Sequence, residues 1–259
     1  MPSALKKFFI RAFEILAFIY LLLCIGLAFA QPSLIFHPTH RPNKNPEWTT
    51  EDIDSDMPVY AGVVFGVKRP NHVYFLIHGN EGQADDMDYY YKLLPAGSAL
   101  YVMEYPGYGK RGGAFIQNGI NATALRSYDF LEKRFVQSSV TVIGESLGVG
   151  PAAYIASLRP VENLYLITPY HDLPGLLQQK IPWLPAAWLC TYRWDVAELL
   201  KNFEGHLTLV GVRNDTLVPA AEAQRLSQEL PRAHLEIIDG THNNWDEDAM
   251  KNILQGDNL

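Results

Sequence analysis

The sequence predicts an α/β domain built on a doubly wound, mostly parallel sheet. Two observations lead to this prediction. Short apolar runs recur along the chain without polar alternation, which is typical of strands buried on both faces. Segments with helical spacing separate these runs, and repeated strand–helix units favour a right-handed, doubly wound arrangement.

The predicted elements alternate through most of the chain. The strands are expected at Val63–Val67, Val73–Ile77, Ala99–Met103, Val140–Ile143, Leu164–Ile167, Leu207–Val210 and Leu235–Ile238. The helices are expected at Asp85–Leu94, Ala122–Phe135, Gly150–Leu158, Ala220–Leu230 and Trp245–Leu254. Residues 31–58, rich in proline, asparagine and threonine, are predicted to form a connector that leads into the fold.

The organisation of the chain is predicted to be one globular domain with a short N-terminal segment. A length of 259 residues, 48% of them hydrophobic, suits a single sizeable core. We expect residues 1–33 to form a membrane anchor or signal segment and residues 34–259 to form the domain. Within it, residues 172–203, rich in proline and tryptophan, are predicted to be a small cap insertion.

The N-terminal segment has the pattern of a membrane-targeting sequence. Lys6, Lys7 and Arg11 precede an uncharged apolar run, Ile15–Ala30. A retained signal anchor is the first interpretation, and the basic flank would orient the N-terminus toward the cytoplasm. A cleaved signal peptide is the second, because Ala28-Phe29-Ala30 resembles a cleavage site. Both place the body of the protein outside the cytoplasm, whereas a third interpretation, a buried core helix, does not.

Charge and cysteine usage argue against two classes of protein. The formal net charge is -7, and an acidic protein repels a phosphate backbone, so nucleic acid is not expected as a partner. The two cysteines, Cys24 and Cys190, provide neither a disulfide framework nor zinc-ligand spacing. No cofactor or metal is expected.

Ser146 is the predicted nucleophile. It lies in the pentapeptide Gly144-Glu145-Ser146-Leu147-Gly148, between a predicted strand and a predicted helix. A serine on a sharp strand-to-helix turn adopts a strained backbone, and glycines two residues before and after it leave room for the turn. The turn also places the hydroxyl at a helix N-terminus, which favours developing negative charge. A structural turn with a capping serine is the alternative.

His242 is the predicted general base, which a serine hydroxyl needs in order to become a good nucleophile. It follows the last predicted strand and precedes the last predicted helix. A loop histidine at that place can reach across the sheet edge to Ser146. A surface histidine or helix cap is the alternative.

A carboxylate should orient the histidine and stabilise the imidazolium. Asp215 is the first candidate, because it comes soon after the strand Leu207–Val210 and keeps the chain order serine, acid, histidine. Asp172, after the preceding strand, is the second candidate, and Asp239 is the third. A turn or helix-cap role is the structural alternative for Asp215.

Two backbone amides are predicted to form an oxyanion hole. One is the amide of Leu147, which follows the nucleophile, and the other belongs to the loop His78-Gly79-Asn80-Glu81-Gly82. We expect the amide of Asn80, with that of Glu81 as the alternative. His78 is expected to be structural, holding this loop by hydrogen bonds.

A further loop, Tyr105-Pro106-Gly107-Tyr108-Gly109, ends the strand Ala99–Met103. Its glycines and proline predict a shaped loop on the same edge of the sheet. The tyrosines either line the mouth of the site or belong to a purely structural turn.

Taken together, these motifs resemble the alpha/beta-hydrolase family, and more narrowly its membrane-anchored group of small serine hydrolases. The matching segments, in chain order, are the N-terminal apolar segment, Leu34–Pro38, His78–Asn80, Tyr105–Gly109, Gly144–Gly148, Asn214–Asp215 with Val218–Pro219, and Thr241–Asn243. The resemblance covers roughly residues 34–255. It implies a triad of Ser146, Asp215 and His242, oxyanion amides from Asn80 and Leu147, and no metal. The chain departs from the family pattern at Glu81, where a small residue is common.

The resemblance implies hydrolysis of a carboxylic ester or thioester, with a small acyl compound as substrate. A nearby membrane makes a lipid-like ester a natural hypothesis. An amide or peptide hydrolase with the same triad is one alternative, and a non-catalytic, membrane-tethered binding protein on the same fold is another.

Localisation is predicted from the N-terminus and from two N-x-T sequons, at Asn121 and Asn214. A glycan on Asn214 would obstruct the adjacent Asp215. This favours the periplasmic face of a bacterial inner membrane over a glycosylating lumen, or secretion if the N-terminal segment is cleaved.

Overall fold

The computed structural model describes residues 3–42, 48–52, 58–62 and 69–256, without the side chains of Ser3 and of residues 48–52 and 58–62. An eight-stranded sheet forms the centre of the domain. Its strands are β1 (Trp48–Asp52), β2 (Pro58–Gly62), β3 (His72–Ile77), β4 (Ser98–Met103), β5 (Val140–Glu145), β6 (Asn163–Ile167), β7 (His206–Val212) and β8 (His234–Ile238).

The sheet is mostly parallel, as the sequence predicts. Its order is β8-β7-β6-β5-β3-β4-β2-β1, and the six strands from β3 to β8 are parallel. The first two strands form an antiparallel hairpin that pairs with β4. The direction of the strand order changes between β3 and β5, because β4 lies on one side of β3 and β5 on the other. Ligands of such sheets bind beyond the carboxyl ends of the strands at this point.

The connector predicted over residues 31–58 is only partly confirmed. Residues 31–35 complete the first helix, and residues 48–52 belong to the hairpin strand β1. The sequence gives little sign of β1, because Thr49, Thr50 and Glu51 are polar and an edge strand needs no continuous apolar run. The strand predicted at Val63–Val67 lies outside the described residues.

Helices cover both faces of the sheet. They are α1 (Ser3–Ile35), α2 (Gln117–Arg134), α3 (Val149–Leu158), α4 (Leu173–Lys180), α5 (Ala186–Leu189), α6 (Val196–Leu200), α7 (Ala220–Glu229) and α8 (Glu247–Gly256). The segment predicted as a helix over Asp85–Leu94 is a 3₁₀ helix, Ala84–Leu93, with a break at Met87. The other predicted helices are confirmed within a few residues.

The apolar strands bury both of their faces, which explains why they lack polar alternation. In β3, Val73, Phe75 and Ile77 pack in the core on the face of α2 and α3. Tyr74 and Leu76 point to the other face, against the 3₁₀ helix and α8. Successive side chains of a strand point to opposite faces, so only a continuous apolar run fills both cores.

Helix α1 is longer than the apolar run that predicts it. It passes through Ala28–Ala30 and Pro32 without interruption and ends at Ile35. By length and composition it can cross a membrane, and most of its side chains are exposed. Cys24 and Gln31 are exceptions, because they are buried against the rest of the protein.

The cap segment, defined as residues 172–203, contains α4, α5 and α6. A bridge between Asp172 and Asp195 closes it at its base. Trp194 is fully buried, and its indole Nε1 donates to the side-chain oxygen of Asn121 over 2.9 Å. The side chain of Asn121, which would carry the glycan of this sequon, is therefore hydrogen-bonded in the core.

Candidate active site

Ser146 lies on a strained turn between β5 and α3. Its φ is 51°, in the left-handed region that non-glycine residues rarely adopt. Such strain persists only where the surrounding structure enforces it, and it clusters at functional sites. The hydroxyl is thereby lifted beyond the carboxyl end of β5.

The two glycines of the pentapeptide are required by close packing. A Cβ on Gly144 would lie 2.7 Å from the Cβ of Ala152 on α3. A Cβ on Gly148 would lie 1.9 Å from the carbonyl oxygen of Ile77, at the end of β3. Any side chain at either position would push α3 away from the sheet, which accounts for the glycine spacing around the serine.

Three of the predicted site residues form a continuous chain of hydrogen bonds. The Oγ of Ser146 lies 2.9 Å from Nε2 of His242, and Nδ1 of His242 lies 2.6 Å from Oδ2 of Asp215. The other oxygen of Asp215 accepts from the amides of Leu217 and Val218, over 2.7 and 2.8 Å. The Asp215 carboxylate is buried and its orientation is fixed from both sides.

The second and third candidates for the acid are engaged elsewhere. Asp172 caps helix α4 by accepting from the amide of Gly175 over 2.6 Å. Asp239 is exposed and pairs with Arg213 over 2.6 Å. Of the three candidates, only Asp215 contacts His242 among the residues that the structure describes.

His242 is held at the tip of a short hairpin. Gly240–Thr241 pairs with Asn244–Trp245 in antiparallel register, so His242 lies in the turn between them. The amide of Asn214 donates to the carbonyl of Gly240 over 3.1 Å, which joins this hairpin to the loop after β7. The loops that hold the acid and the base are thus connected through the backbone.

The loop after β3 runs beside the nucleophile. A Cβ on Gly79 would lie 3.5 Å from the Cβ of Ser146. The carbonyl of Asn80 accepts from the amide of His37 over 2.8 Å, and its side-chain nitrogen donates to the carbonyl of Ile35 over 2.6 Å. These contacts fix the loop against the end of α1.

The predicted oxyanion amides border the same space. The amide of Leu147 follows the nucleophile directly. The amide of Asn80 donates to no acceptor among the described residues, so it is free for a ligand. The side chain of Glu81 is exposed to solvent. The roles of Asn80 and Leu147 stay predictions.

The two tyrosines of the Tyr105–Gly109 loop support this arrangement from beneath. Both side chains are fully buried, so they do not line the mouth of the site. The hydroxyl of Tyr105 donates to the carbonyl of His78 over 2.7 Å, and that of Tyr108 donates to the carbonyl of Asn80 over 2.6 Å. The structural interpretation of this loop is therefore the correct one.

The ring of His78 does not hold the loop by hydrogen bonds as expected. It is fully buried, packs edge-on to Tyr105, and neither ring nitrogen has a hydrogen-bond partner in the described part of the chain. Burial lowers the pKa of His78 to about 4, so the ring is neutral at pH 7. The tyrosine hydroxyls perform the role that was expected of this ring.

A buried carboxyl group, Glu104, lies 4.0 Å from the ring of His78. Burial raises the pKa of Glu104 to about 8, with the nearby Asp85 adding to the effect and Arg111 and Arg41 opposing it. The folded protein therefore keeps a proton on Glu104 at pH 7, whereas the unfolded chain releases it.

Glu104→Gln should make the stability of the protein less sensitive to pH. Because the pKa of Glu104 rises from 4.5 to about 8 on folding, its contribution to stability is complete below pH 4.5 and is lost as the pH rises to about 8. Glutamine does not titrate, so the variant does not lose this contribution to stability as the pH rises. Its midpoint of thermal unfolding, relative to wild type, should rise by several degrees between pH 5 and pH 8.

Glu162→Gln is the matched control, because Glu162 is exposed immediately before β6. Its midpoint relative to wild type should show no comparable trend. Parallel pH profiles of wild type and Glu104→Gln would contradict the prediction.

Glu145 is a candidate site residue that sequence reasoning does not single out. Burial raises the pKa of its carboxyl group to about 6, and His242, Tyr90 and Trp245, which lie around it, oppose the effect. Its position immediately before Ser146 could have drawn attention to Glu145, but the pattern G-x-S-x-G does not specify the residue type there. In this fold Glu145 provides a second carboxyl group beside His242.

The described part of the chain contains no cluster of three or more histidine, cysteine or acidic residues arranged to bind a metal ion. The arrangement of a strained serine, a histidine and an oriented carboxylate is instead one that can perform nucleophilic catalysis.

Comparisons with solved structures define the class of fold. An esterase from Pyrococcus furiosus superposes with a TM-score of 0.63 at 16% identity, covering 85% of this chain and 91% of that one. The thioesterase domain from the curacin biosynthetic pathway gives 0.58 at 16% identity, covering 80% and 98%. A puromycin-hydrolyzing peptidase of Mycobacterium tuberculosis gives 0.63 at 13% identity, covering 81% and 38%. The chain has the alpha/beta-hydrolase fold.

Sequence comparison is less informative. No family model matches the chain. Uncharacterized proteins from two strains of Mycobacterium tuberculosis are 26% identical over 132 residues, which is 50% of this chain and 47% of each relative. The chain thus aligns with about half the length of the curated relatives it matches.

Proposed function

We propose that this protein is a serine hydrolase in which Ser146 forms an acyl-enzyme. The observation that carries the proposal is the chain of hydrogen bonds from Ser146 through His242 to Asp215, with distances of 2.9 and 2.6 Å. A strained serine on a strand-to-helix turn, beside a loop with a free amide, supports the same function.

The proton path follows from the fixed carboxylate. Asp215 has no proton to donate when ionised, so Nδ1 of His242 carries the proton of their 2.6 Å contact. Nε2 then has a lone pair facing the hydroxyl of Ser146. As Oγ attacks the acyl carbon, His242 takes the hydroxyl proton, and Asp215 stabilises the imidazolium that forms.

The remaining steps use the same side chains together with the two backbone amides. The amides of Asn80 and Leu147 stabilise the negative oxygen of the tetrahedral intermediate. His242 gives its proton to the leaving alcohol or thiol, and the acyl group stays on Ser146. His242 then takes a proton from water as the water oxygen attacks the acyl carbon. When the bond from that carbon to Oγ of Ser146 breaks, His242 returns the proton to Oγ, and the carboxylic acid is released.

The proposed substrates are carboxylic esters or thioesters. This choice is supported by the esterase and the thioesterase among structures of the same fold. An amide or peptide hydrolase is the second candidate, and the peptidase of the same fold favours it. Turnover of p-nitrophenyl esters and of p-nitroanilides of the same acyl groups distinguishes the two, because the first contain an ester bond and release p-nitrophenol, whereas the second contain an amide bond and release p-nitroaniline.

Ser146→Ala is expected to abolish labelling by a fluorophosphonate probe, because the probe needs an activated serine oxygen. Ester turnover should fall by about ten-thousand-fold or more, since without the nucleophile only the oxyanion amides and the binding contacts remain to accelerate the reaction. Gel fluorescence after labelling and p-nitrophenyl ester hydrolysis are the measurements.

Ser157→Ala is the control for this experiment. The Ser157 side chain is exposed on α3 and donates to the carbonyl of Tyr154, so labelling should match wild type. Equal labelling of wild type and Ser146→Ala would disprove the assignment. Absent labelling of both, together with absent turnover, would favour a binding protein instead.

The proposed location is the membrane, with α1 retained as the anchor and the domain outside the cytoplasm. Lys6 and Lys7 at the start of α1 support this orientation.

A further inference from the structure

The segment that leaves α1 runs directly beside the loop after β3. We call residues 35–39 the strap, because they join α1 to the domain. Within the strap, the short strand His37–Pro38 pairs with Glu81–Gly82 in parallel register. The amide of Thr39 donates to the carbonyl of Gly82 over 2.8 Å, so the pairing continues to the end of the strap.

Asn80 is tied to the strap by its carbonyl group and by its side chain. Its carbonyl oxygen accepts from the amide of His37 over 2.8 Å and from the hydroxyl of Tyr108 over 2.6 Å. Its side-chain nitrogen donates to the carbonyl of Ile35 over 2.6 Å. Two of these three hydrogen bonds come from the strap. They limit the rotation of the residue whose backbone N–H has no acceptor among the described residues.

Phe36 holds the strap in the core. Its side chain is almost fully buried. The ring stacks on that of Phe115 with the centroids 4.9 Å apart, and it lies 5.2 Å from the ring of Tyr192. It also packs edge-on to Tyr108, the residue whose hydroxyl bonds to Asn80. Large aromatic side chains contribute strongly to core packing, so the strap is held by the core as well as by hydrogen bonds.

The place of Asn80 beside the nucleophile makes this support relevant to the reaction. Gly79, the residue before it, approaches so closely that an added Cβ would lie 3.5 Å from the Cβ of Ser146. An oxyanion donor must lie about 2.7–3.1 Å from the developing negative oxygen. A displacement of about 1 Å in an active site can lower the rate by about a hundredfold.

We propose that the strap positions the oxyanion hole. Phe36 fixes the strap in the core, and the side chain of Asn80 ties the loop after β3 to the strap, so that the N–H of Asn80 points at the tetrahedral intermediate. Both are positioning residues. The segment that connects α1 to the domain is therefore part of the active site and not only a tether. This inference rests on the proposed function and adds two residues to it.

Asn80→Ala tests the side-chain bond, because alanine removes the donor to Ile35 and keeps the backbone N–H. In the full chain in detergent, kcat for p-nitrophenyl ester hydrolysis should fall by about tenfold or more, and KM should change little. The rate of fluorophosphonate labelling should fall with kcat. Asn71→Ala is the matched control, since Asn71 is exposed immediately before β3, at the opposite end of that strand. It should keep wild-type rates.

Phe36→Ala tests the support of the strap in the core. It should lower kcat and the labelling rate, and Phe36→Leu, which keeps an apolar side chain in place, should restore most of the loss. Leu131→Ala is the matched control for core damage. Leu131 is fully buried near the end of α2 that leads to the start of β5, whereas Ser146 follows the end of that strand. Both alanine variants should unfold at lower temperature, and at a temperature where both are folded only Phe36→Ala should have a reduced kcat.

An alkyl trifluoromethyl ketone reports on the oxyanion hole itself. Oγ of Ser146 adds to the carbonyl carbon, His242 takes the hydroxyl proton, and the former carbonyl oxygen carries the negative charge that the amides bind. Because this adduct resembles the tetrahedral intermediate, its inhibition constant should rise in Asn80→Ala and in Phe36→Ala by the same factor by which kcat/KM falls. A general loss of folded protein would lower the amount of enzyme that can be labelled and leave this constant unchanged.

Wild-type kcat in Asn80→Ala would overturn the proposal. So would a loss of kcat in Phe36→Ala that Leu131→Ala shares, or a loss of kcat without a rise in the inhibition constant of the ketone. A wild-type chain that neither hydrolyses esters nor reacts with the fluorophosphonate would overturn the proposed function, and this inference with it.

Discussion

Replacing Asp215 with asparagine is expected to lower kcat for ester hydrolysis by about ten-thousand-fold while the fold is retained. The oxygen Oδ1 accepts from the amides of Leu217 and Val218. An asparagine would have to keep its single oxygen there. Its NH₂ group would then face Nδ1 of His242 and force the ring into the tautomer that carries its proton on Nε2.

In that tautomer His242 cannot accept the proton of Ser146. Asparagine has almost the same volume as aspartate and keeps the hydrogen bonds from the backbone to Oδ1, which a shorter side chain would lose. The midpoint of thermal unfolding should therefore stay near that of wild type, while kcat and the rate of fluorophosphonate labelling fall together. KM should change little, because no substrate contact is removed.

Asp172→Asn and Asp239→Asn are the matched controls, since both residues are candidates for the acid by sequence position. Asp172 caps α4 and Asp239 pairs with Arg213, and neither contacts His242. Both variants should keep kcat within a few-fold of wild type. A kcat for Asp215→Asn within tenfold of wild type would contradict the predicted role, as would an equal loss in Asp172→Asn.

The central strands and the positions of the serine, acid and histidine could be predicted from the sequence for one physical reason. Strands such as β3 and β5 are buried on both faces, so they are continuously apolar and easy to recognise. Their carboxyl ends then locate the loops that hold Ser146, Asp215 and His242. Local pattern and chain order were enough to select these three residues.

What sequence reasoning missed depends on contacts between distant segments. The edge strand β1 is mostly polar, so it lacks the continuous apolar run by which the central strands are recognised. The hydrogen bonds from Tyr105 and Tyr108 to the loop after β3 join residues about 27 positions apart in sequence. The contact between Tyr20 and Trp183 spans 163 positions. Hydrophobic periodicity indicates local secondary structure, so it cannot predict contacts between segments that are far apart in sequence.

Gly148→Ala is expected to have the second large effect, on stability as well as activity. The added Cβ would lie 1.9 Å from the carbonyl oxygen of Ile77 and 2.7 Å from that of His78. Both are backbone atoms, which cannot rotate away as a side chain would. Overpacking of this kind costs about 3 kcal/mol, so the midpoint of thermal unfolding should fall by roughly 10 °C.

Gly119→Ala is the control, because a Cβ on Gly119 in α2 would meet no atom within 4 Å. Alanine is favoured over glycine in a helix by up to about 1 kcal/mol, so this variant should be as stable as wild type or slightly more stable. Scanning calorimetry of the full chain in detergent measures both variants. Wild-type stability in Gly148→Ala would contradict the close packing of α3 against β3.

The activity of Gly148→Ala should fall further than its stability alone requires. The displaced peptide joins Ile77 to His78, immediately before Gly79 and Asn80. Relief of the clash moves this loop away from Ser146, and the amide of Asn80 moves with it. At a temperature where the variant is fully folded, kcat should therefore be reduced by about a hundredfold, the loss expected when one oxyanion donor is misplaced. A folded variant with wild-type kcat would show that the loop after β3 does not stabilise the transition state.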